Sequence, residues 1–388
     1  MRKLIYIFFL IIAHTALSQS LCNVHNFGNM QVHDQGRMGI HANIVNDGIF
    51  DQNVGEVGFY NQDPDLDLTI SGANSPVFFD MVTDVAGDLI LEVAVGVTNS
   101  KDFRNGRIFT PRNNPAISLN FTNDSPYIGA SDGEHVDGYV TNNGLLDYTF
   151  PIGDDFRIRP MSIEVSASQT TSRGAYFFED PGNSSTFSDS FDTSSFQPTL
   201  SVVNDVEFWD LDGATTTQVT ITWDEQSNIA NLADSPENLR VVGWNAFEER
   251  WIDLGNVTFT GDLTSGSITS ESIIPNDYEV LTIGSILRSG DDIFVYTGIS
   301  PNGDNKNDFL VIRGIETSPE NKISIFNRWG VIVYEKENYR NDPQTAWKGE
   351  SNGRVTVKED DLLPVGTYFY VLKLKDREDK TGYIYLQR

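Results

Sequence analysis

Short apolar runs recur about every 8–15 residues through the first half of this chain. Ala42–Val45, Val57–Tyr60, Leu66–Ile70, Leu89–Val97 and Ala116–Phe121 are separated by clusters of Asn, Asp, Gly and Ser. Runs of that length closed by turn residues predict strands with one face in a core. No segment of 19–292 keeps a 3.6-residue apolar period over three turns, so the chain reads as all-β. Asn-x-Gly turns, as at Asn46-Asp47-Gly48 and Asn142-Asn143-Gly144, recur at uneven spacing. They predict an acidic β-rich N-terminal module, either a short solenoid or an irregular sandwich. Beyond Phe150-Pro151-Ile152-Gly153-Asp154 the alternation is cleaner, in Ser162–Ser166, Ala175–Phe178, Val219–Trp223, Leu239–Trp244 and Glu279–Ile283. That density of strands predicts a β-sandwich middle module. Pro181 to Pro198, rich in Ser and Thr, is expected as a long exposed loop.

The N-terminus breaks this pattern. Arg2 and Lys3 precede an apolar stretch from Leu4 to Ala13, followed by Ala16-Leu17-Ser18. This predicts a secretory signal peptide over residues 1–18. The stretch is too short to anchor stably across a bilayer core of ~30 Å. Cys22 is the only cysteine, which leaves no intramolecular disulfide and no cysteine-based zinc site.

Charge divides the chain more sharply than hydropathy does. Residues 19–292 hold 11 basic and 41 acidic side chains, whereas 293–388 hold 14 of each. Lys101 is the only lysine in 19–292, and eight lie in the last 96 residues. A shift so abrupt marks separate modules, joined at Arg288-Ser289-Gly290-Asp291-Asp292. The expected division is 1–18 signal peptide, 19–150 acidic β module, 151–288 β-sandwich and 293–388 C-terminal module. The acid excess opposes nucleic acid, whose phosphates require a basic face, and anionic membrane surfaces alike.

The C-terminal module carries an ordered set of motifs. Pro301-Asn302-Gly303-Asp304 with Asn307-Asp308 opens it. Ile325-Phe326-Asn327-Arg328-Trp329-Gly330 and Val333-Tyr334 follow, then Trp347-x-Gly349. Leu363-Pro364-x-Gly366-Thr367-Tyr368-Phe369-Tyr370 and Lys380-Thr381-Gly382-Tyr383 close it. From Ile293 onward the chain resembles the gliding-motility-associated C-terminal domain, the type B sorting domain of the type IX secretion system of Bacteroidota. The resemblance implies a seven-strand immunoglobulin-like sandwich. It also implies recognition by the export machinery, through a PorP/SprF-like outer-membrane protein, and a final place on the cell surface or in the medium. The residues themselves agree: Ile323–Phe326, Val331–Tyr334 and Tyr368–Leu374 alternate like strands. Arg328-Trp329-Gly330 is expected in the tight connection between the first two, with Trp329 covering an open end of the core. If that ring is buried, Trp329→Ala should cost ~3–5 kcal/mol. More weakly, Phe150–Asp154 with Arg159-Pro160, Ile221-Thr222-Trp223, Val241–Asn245 and Trp251-x-x-Leu254-Gly255 resemble β modules of large Bacteroidota surface proteins.

Candidate chemistry is sparse. Gly129-Ala130-Ser131-Asp132-Gly133, near His135, fits a nucleophile-elbow pattern, but no helical period follows the serine. His25, His33 and His41 lie eight residues apart and, on stacked strands, could share a metal. Asp63, Asp65 and Asp67 offer alternate carboxylates and are a candidate calcium set, although the spacing of Leu68 and Asn74 excludes an EF-hand loop. Asn302, Asp304 and Asp308 raise the same question, with an Asx-rich turn closing its own backbone hydrogen bonds as the expected reading. Trp209, Trp223, Trp244 and Trp251 fit core positions better than a sugar platform. The expectation is a non-enzymatic, adhesin-like or structural surface protein without a cofactor, its contacts being other surface proteins or glycans. The alternative is a secreted carbohydrate-binding or carbohydrate-active protein with the same C-terminal module.

Overall fold

The computed structural model describes residues 23–144, 147–155, 157–165, 170–286, 293–303, 307–352, 362–375 and 377–387. The expected signal peptide 1–18, Cys22, the join at 288–292 and Asp304 lie outside them. Among the described residues the elements are strands and five single-turn 3-10 helices.

The first part of the chain winds back and forth between two parallel sheets. One stacks Asn23–Asn26, Asn43–Asn46, Leu68–Ser71, Leu89–Leu91, Ile108–Phe109, Val136–Asp137 and Ile152–Asp154. The other stacks Arg37–Ile40, Glu56–Asn61, Val77–Val85, Val95–Asn105, Leu119–Thr122 and Val140–Gly144. This is the solenoid of the two architectures the turns allowed. Register makes its core: Leu68, Leu89, Ile108, Val136 and Ile152 stand side by side on five successive strands. All five are fully buried. Fully burying an aliphatic side chain is worth roughly 1.5–3 kcal/mol, so such a column is a main source of stability.

The turns stack as well. The Asn26 side-chain amide donates to Asn46 Oδ1 at 2.7 Å, and the Asn46 amide donates to the Asn74 carbonyl at 2.9 Å. Asn26 and Asn46 are buried, and a buried amide requires such partners.

The solenoid does not end at the expected 150/151 boundary. Its last parallel strand, Ile152–Asp154, lies beyond Pro151 and is followed by the antiparallel Arg157–Ile158. On the other sheet Val140–Gly144 pairs antiparallel with Thr170–Phe177. That sheet then runs on through Phe208–Gly213, Leu281–Ile286 and Leu239–Asn245 to Arg250–Asp253. A five-stranded antiparallel sheet joins it in the middle region, in the order Tyr148–Phe150, Met161–Val165, Thr217–Trp223, Gly266–Thr269, Thr258–Gly261. One apolar cluster extends from Val32 to Ile283. The described residues on the two sides of that boundary thus share a sheet and a core.

The Ser/Thr-rich segment after Pro181 is more than an exposed loop. It folds back to bury Phe191, whose ring lies 5.6 Å from Trp244, beside Phe187 and Phe196. The Glu179 carboxylate accepts from the hydroxyls of Ser184 and Ser185, which pins the segment's start. Aromatic burial there outweighs the loop-like composition.

The C-terminal module has a separate core. Its described residues form a five-stranded sheet in the order Gly298–Ile299, Lys380–Leu386, Gly366–Leu374, Asn321–Phe326, Ile332–Glu337. Phe294–Val295 and Ile312–Arg313 pair as a small second sheet. The apolar cluster between them runs from Ile293 to Leu386 and contains no residue of the body.

Candidate functional site

In the C-terminal module the expected motif residues divide into those that hold the core and those that face solvent. Trp347 is fully buried, between Tyr334 and Tyr368 at ring distances of 6.1 and 6.0 Å. Its indole N–H donates to the Glu350 carbonyl at 2.9 Å, and its backbone N–H donates to the Tyr339 hydroxyl at 3.1 Å. Leu363, Tyr368 and Tyr370 are buried with it, and the Tyr368 hydroxyl donates to the Pro364 carbonyl at 2.7 Å. The Leu363 amide donates to the Gly349 carbonyl at 2.8 Å. Gly366 and Thr367 open the strand that carries them. Gly382 lies beneath Tyr370, where a Cβ would come within 2.7 Å of the ring and force it to shift.

In the described part of the opening motif the Asp308 carboxylate reaches back over the turn. Asp308 Oδ1 accepts from the backbone N–H groups of Asn302 at 3.0 Å and Gly303 at 2.8 Å. The Ser300 amide, just before Pro301, donates to the Asn307 carbonyl at 2.7 Å.

Trp329 corrects the sequence reading. It does lie in the connection between Asn321–Phe326 and Ile332–Glu337, but it is 71 % exposed and covers no core. The turn is held without its ring: Asn327 Oδ1 accepts from the amides of Trp329 and Val331, and Gly330 takes φ +77°. A left-handed position in a tight turn suits glycine. The Arg328 guanidinium stacks 4.2 Å from the exposed indole.

That turn ends a wider aromatic surface. Phe326, Phe369 and Tyr383 are register partners on three neighbouring strands, and Ile332 lies opposite Phe326 on a fourth. Phe369, Tyr383 and Ile332 are exposed and Phe326 is half-buried. Farther along the same strands the row becomes Glu337, Lys322 and Lys373. The face therefore runs from charged to aromatic.

The body's candidates do not assemble. Ser131 hydrogen-bonds to the Glu134 carboxylate, whereas His135 Nδ1 lies 3.1 Å from the Ser131 carbonyl rather than its hydroxyl. His25 pairs with Asp47 at 2.6 Å, and His41 stacks on Tyr60 at 5.5 Å. Asp63 Oδ1 accepts from the Asp65 amide and Asp67 Oδ1 from the Asp88 amide, at 3.1 and 2.9 Å. Among the described residues no group of three or more His, Cys, Asp or Glu could hold a metal ion. Trp209, Trp223, Trp244 and Trp251 are all core residues.

Sequence reasoning missed several buried charges. The Lys101 side chain is fully buried inside the solenoid, with Nζ 2.7 Å from the Asp102 carbonyl and 4.0 Å from the Phe103 ring centre. Burial pushes its pKa well below the ordinary lysine range. Asp210 accepts from the Tyr139 hydroxyl at 2.7 Å, and burial raises its pKa to about 7. Glu207 accepts from the Tyr176 hydroxyl at 2.6 Å, with Arg159 Nε at 3.5 Å, and burial again raises its pKa. The strand Phe208–Gly213 that carries Asp210 has no counterpart in the sequence reading, and tertiary packing seals both carboxyls.

The C-terminal module is thus a small β-sandwich with its own apolar core and an aromatic outer face. Its sequence matches the CHU_C type IX secretion signal domain over residues 293–386. These residues are a type IX sorting domain, which implies export across the outer membrane by the type IX machinery. The comparison with curated proteins gave no match, nor did that with solved structures. No helix among the described residues is long and apolar enough to cross a membrane.

Proposed function

We propose that this chain is a non-enzymatic surface protein whose acidic β body is the cargo and whose C-terminal module is the address. The match of 293–386 to a type IX signal domain carries this reading. The body, 23–286, supplies an elongated sheet and a strongly acidic surface, which suit an adhesin-like or structural part that must stay soluble outside the cell. Residues 1–18 take the chain across the inner membrane as a signal peptide. A PorP/SprF-like outer-membrane protein then reads the sorting domain.

The test compares full-length protein with a version ending at Ser289, both expressed in a Bacteroidota host with a working type IX system. Intact cells are treated with protease, the medium is assayed, and the body is followed by blotting. Full-length protein outside with the truncation retained in the periplasm is the expected result. Equal retention of both would sink the export reading. A glycan array and a reducing-sugar assay on the exported body address its role; turnover would replace the structural reading with an enzymatic one.

A further inference from the structure

The strand that opens the sorting domain changes sheets partway along. Phe294–Val295 pairs with Ile312–Arg313 in the small sheet. Gly298–Ile299, only three residues on, pairs with Tyr385–Leu386 in the large one. The switch leaves the outer edge of Lys380–Leu386 covered at one end only.

Register shows what that edge presents. The Tyr385 amide donates outward to the Thr297 carbonyl at 2.6 Å, and the Gln387 amide to the Ile299 carbonyl at 2.9 Å. In an antiparallel pair, outward and inward peptide groups alternate. Tyr383 and Thr381, two and four residues before Tyr385, therefore also point their N–H and C=O groups away from Gly366–Leu374. No strand among the described residues pairs with them there. Beside them lies a cleft of about 760 Å³, walled by Phe294, Val295 and Thr297 on one side and Tyr370, Leu374 and Tyr383 on the other. It is the space that Phe294–Tyr296 would fill had that segment stayed on the large sheet.

From this the geometry points to a strand-addition site. Resting on the export reading above, the inference is that an extended segment of the type IX outer-membrane receptor pairs with the Thr381–Tyr383 edge. The segment extends the row that Gly298–Ile299 begins, and main-chain hydrogen bonds supply its affinity. Its chemistry follows from the cleft. The unpaired peptide groups call for an extended backbone. Phe294, Leu374 and Tyr370 call for apolar side chains on its inward positions. Arg377, Glu378, Asp379 and Lys380 ring one end with balanced charge, so the segment needs no net charge of its own. A mixed, charged rim of this kind also discourages indiscriminate edge pairing. The Trp329 turn lies on the far side of the sheet's strand order and takes no part.

The experiment places a photo-cross-linking residue at Thr381 of the full-length chain, and in a control at Glu335 on the opposite edge strand. Both are expressed in the same type IX-competent host. The expected result is an adduct with an outer-membrane protein of the type IX apparatus from position 381 and none from 335. A second arm replaces Thr381 with proline, which removes an edge N–H that the internal ladder does not use. Export should fall about tenfold, the cost of roughly one or two lost hydrogen bonds, with the melting temperature retained. Should Thr381→Pro fail to fold, Phe294→Ser, an exposed wall position, takes its place with the same expectation. An adduct with a second copy of this chain, or wild-type export of the folded variant, overturns the inference. Export of the version ending at Ser289 overturns the export reading instead, so the two failures are distinguishable.

Discussion

The body and the sorting domain use one secondary structure to opposite ends. The body shows solvent a strongly acidic surface, with exposed large apolar residues such as Phe27 and Phe247 spread thinly over its much longer span. The sorting domain is electrically neutral and shows aromatics. Among the described residues, nine of the eighteen exposed large hydrophobics, from Phe294 to Tyr385, fall within its short span. Scattered exposed apolar residues are ordinary, but a register-aligned row of them is the mark of a contact surface. The lesson is that charge and exposure, rather than strand content, separate the part that is carried from the part that is read.

The sharpest way to break this contrast is at the two tryptophans of the sorting domain. Trp347→Ala removes a fully buried ring and should cost ~3–5 kcal/mol, with export lost through misfolding. Thermal or denaturant unfolding of the full-length chain would measure it. A loss below one kcal/mol would mean the small core does not depend on this ring.

Next in size is an effect confined to the body. Asp210 has a folded-state pKa of about 7, above its ordinary 3.8. Its protonated form is the stable one in the fold, so its contribution is complete near pH 4 and is lost as pH rises through 7. Asp210→Asn should therefore leave the body's stability unchanged near pH 4 and raise it by pH 8, on the order of a few kcal/mol. Melting scans across that range read the difference. Parallel pH profiles for the two proteins would assign the titration to another group.

The smallest expected effect completes the pair of tryptophans. Trp329→Ala, at an exposed turn held by Asn327 and Gly330, should change stability by no more than about 0.5 kcal/mol. A loss as large as that of Trp347→Ala would show that the ring is covered in solution.

Much of this architecture was legible in the residues, and the failures are physical. Alternation and turn chemistry gave the strands, and the charge step near 292 separated two cores that share no residue. Parallel stacking was only one of two readings because the coils differ in length. Val136 stands beside Ile152 after sixteen residues, Ile108 beside Val136 after twenty-eight. Such spacing leaves no period to count. The boundary at Pro151 was read from the cleaner alternation beyond it, yet Tyr148–Phe150 and Ile152–Asp154 on its two sides belong to different sheets of one body. Trp329 and Trp347 are indistinguishable as letters. Only the hairpin geometry turns one out and the core turns the other in. The open edge at Thr381–Tyr383 depends on where another strand, eighty residues earlier, changes partner, and no local pattern records that.

One consequence follows from Lys101. Its amine is sealed inside the solenoid, and it is the body's sole lysine, while eight lie from Lys306 to Lys380. Amine-reactive dyes and biotin esters applied to living cells would therefore leave the folded body's side chains untouched and tag the sorting domain. The lysine-borne label is confined to one end: if the domain were clipped off after export, every tagged lysine would leave with it, while the body kept at most a tag on its α-amine. Loss of the lysine-borne tag against constant body would time that event on the cell surface, with no engineered handle.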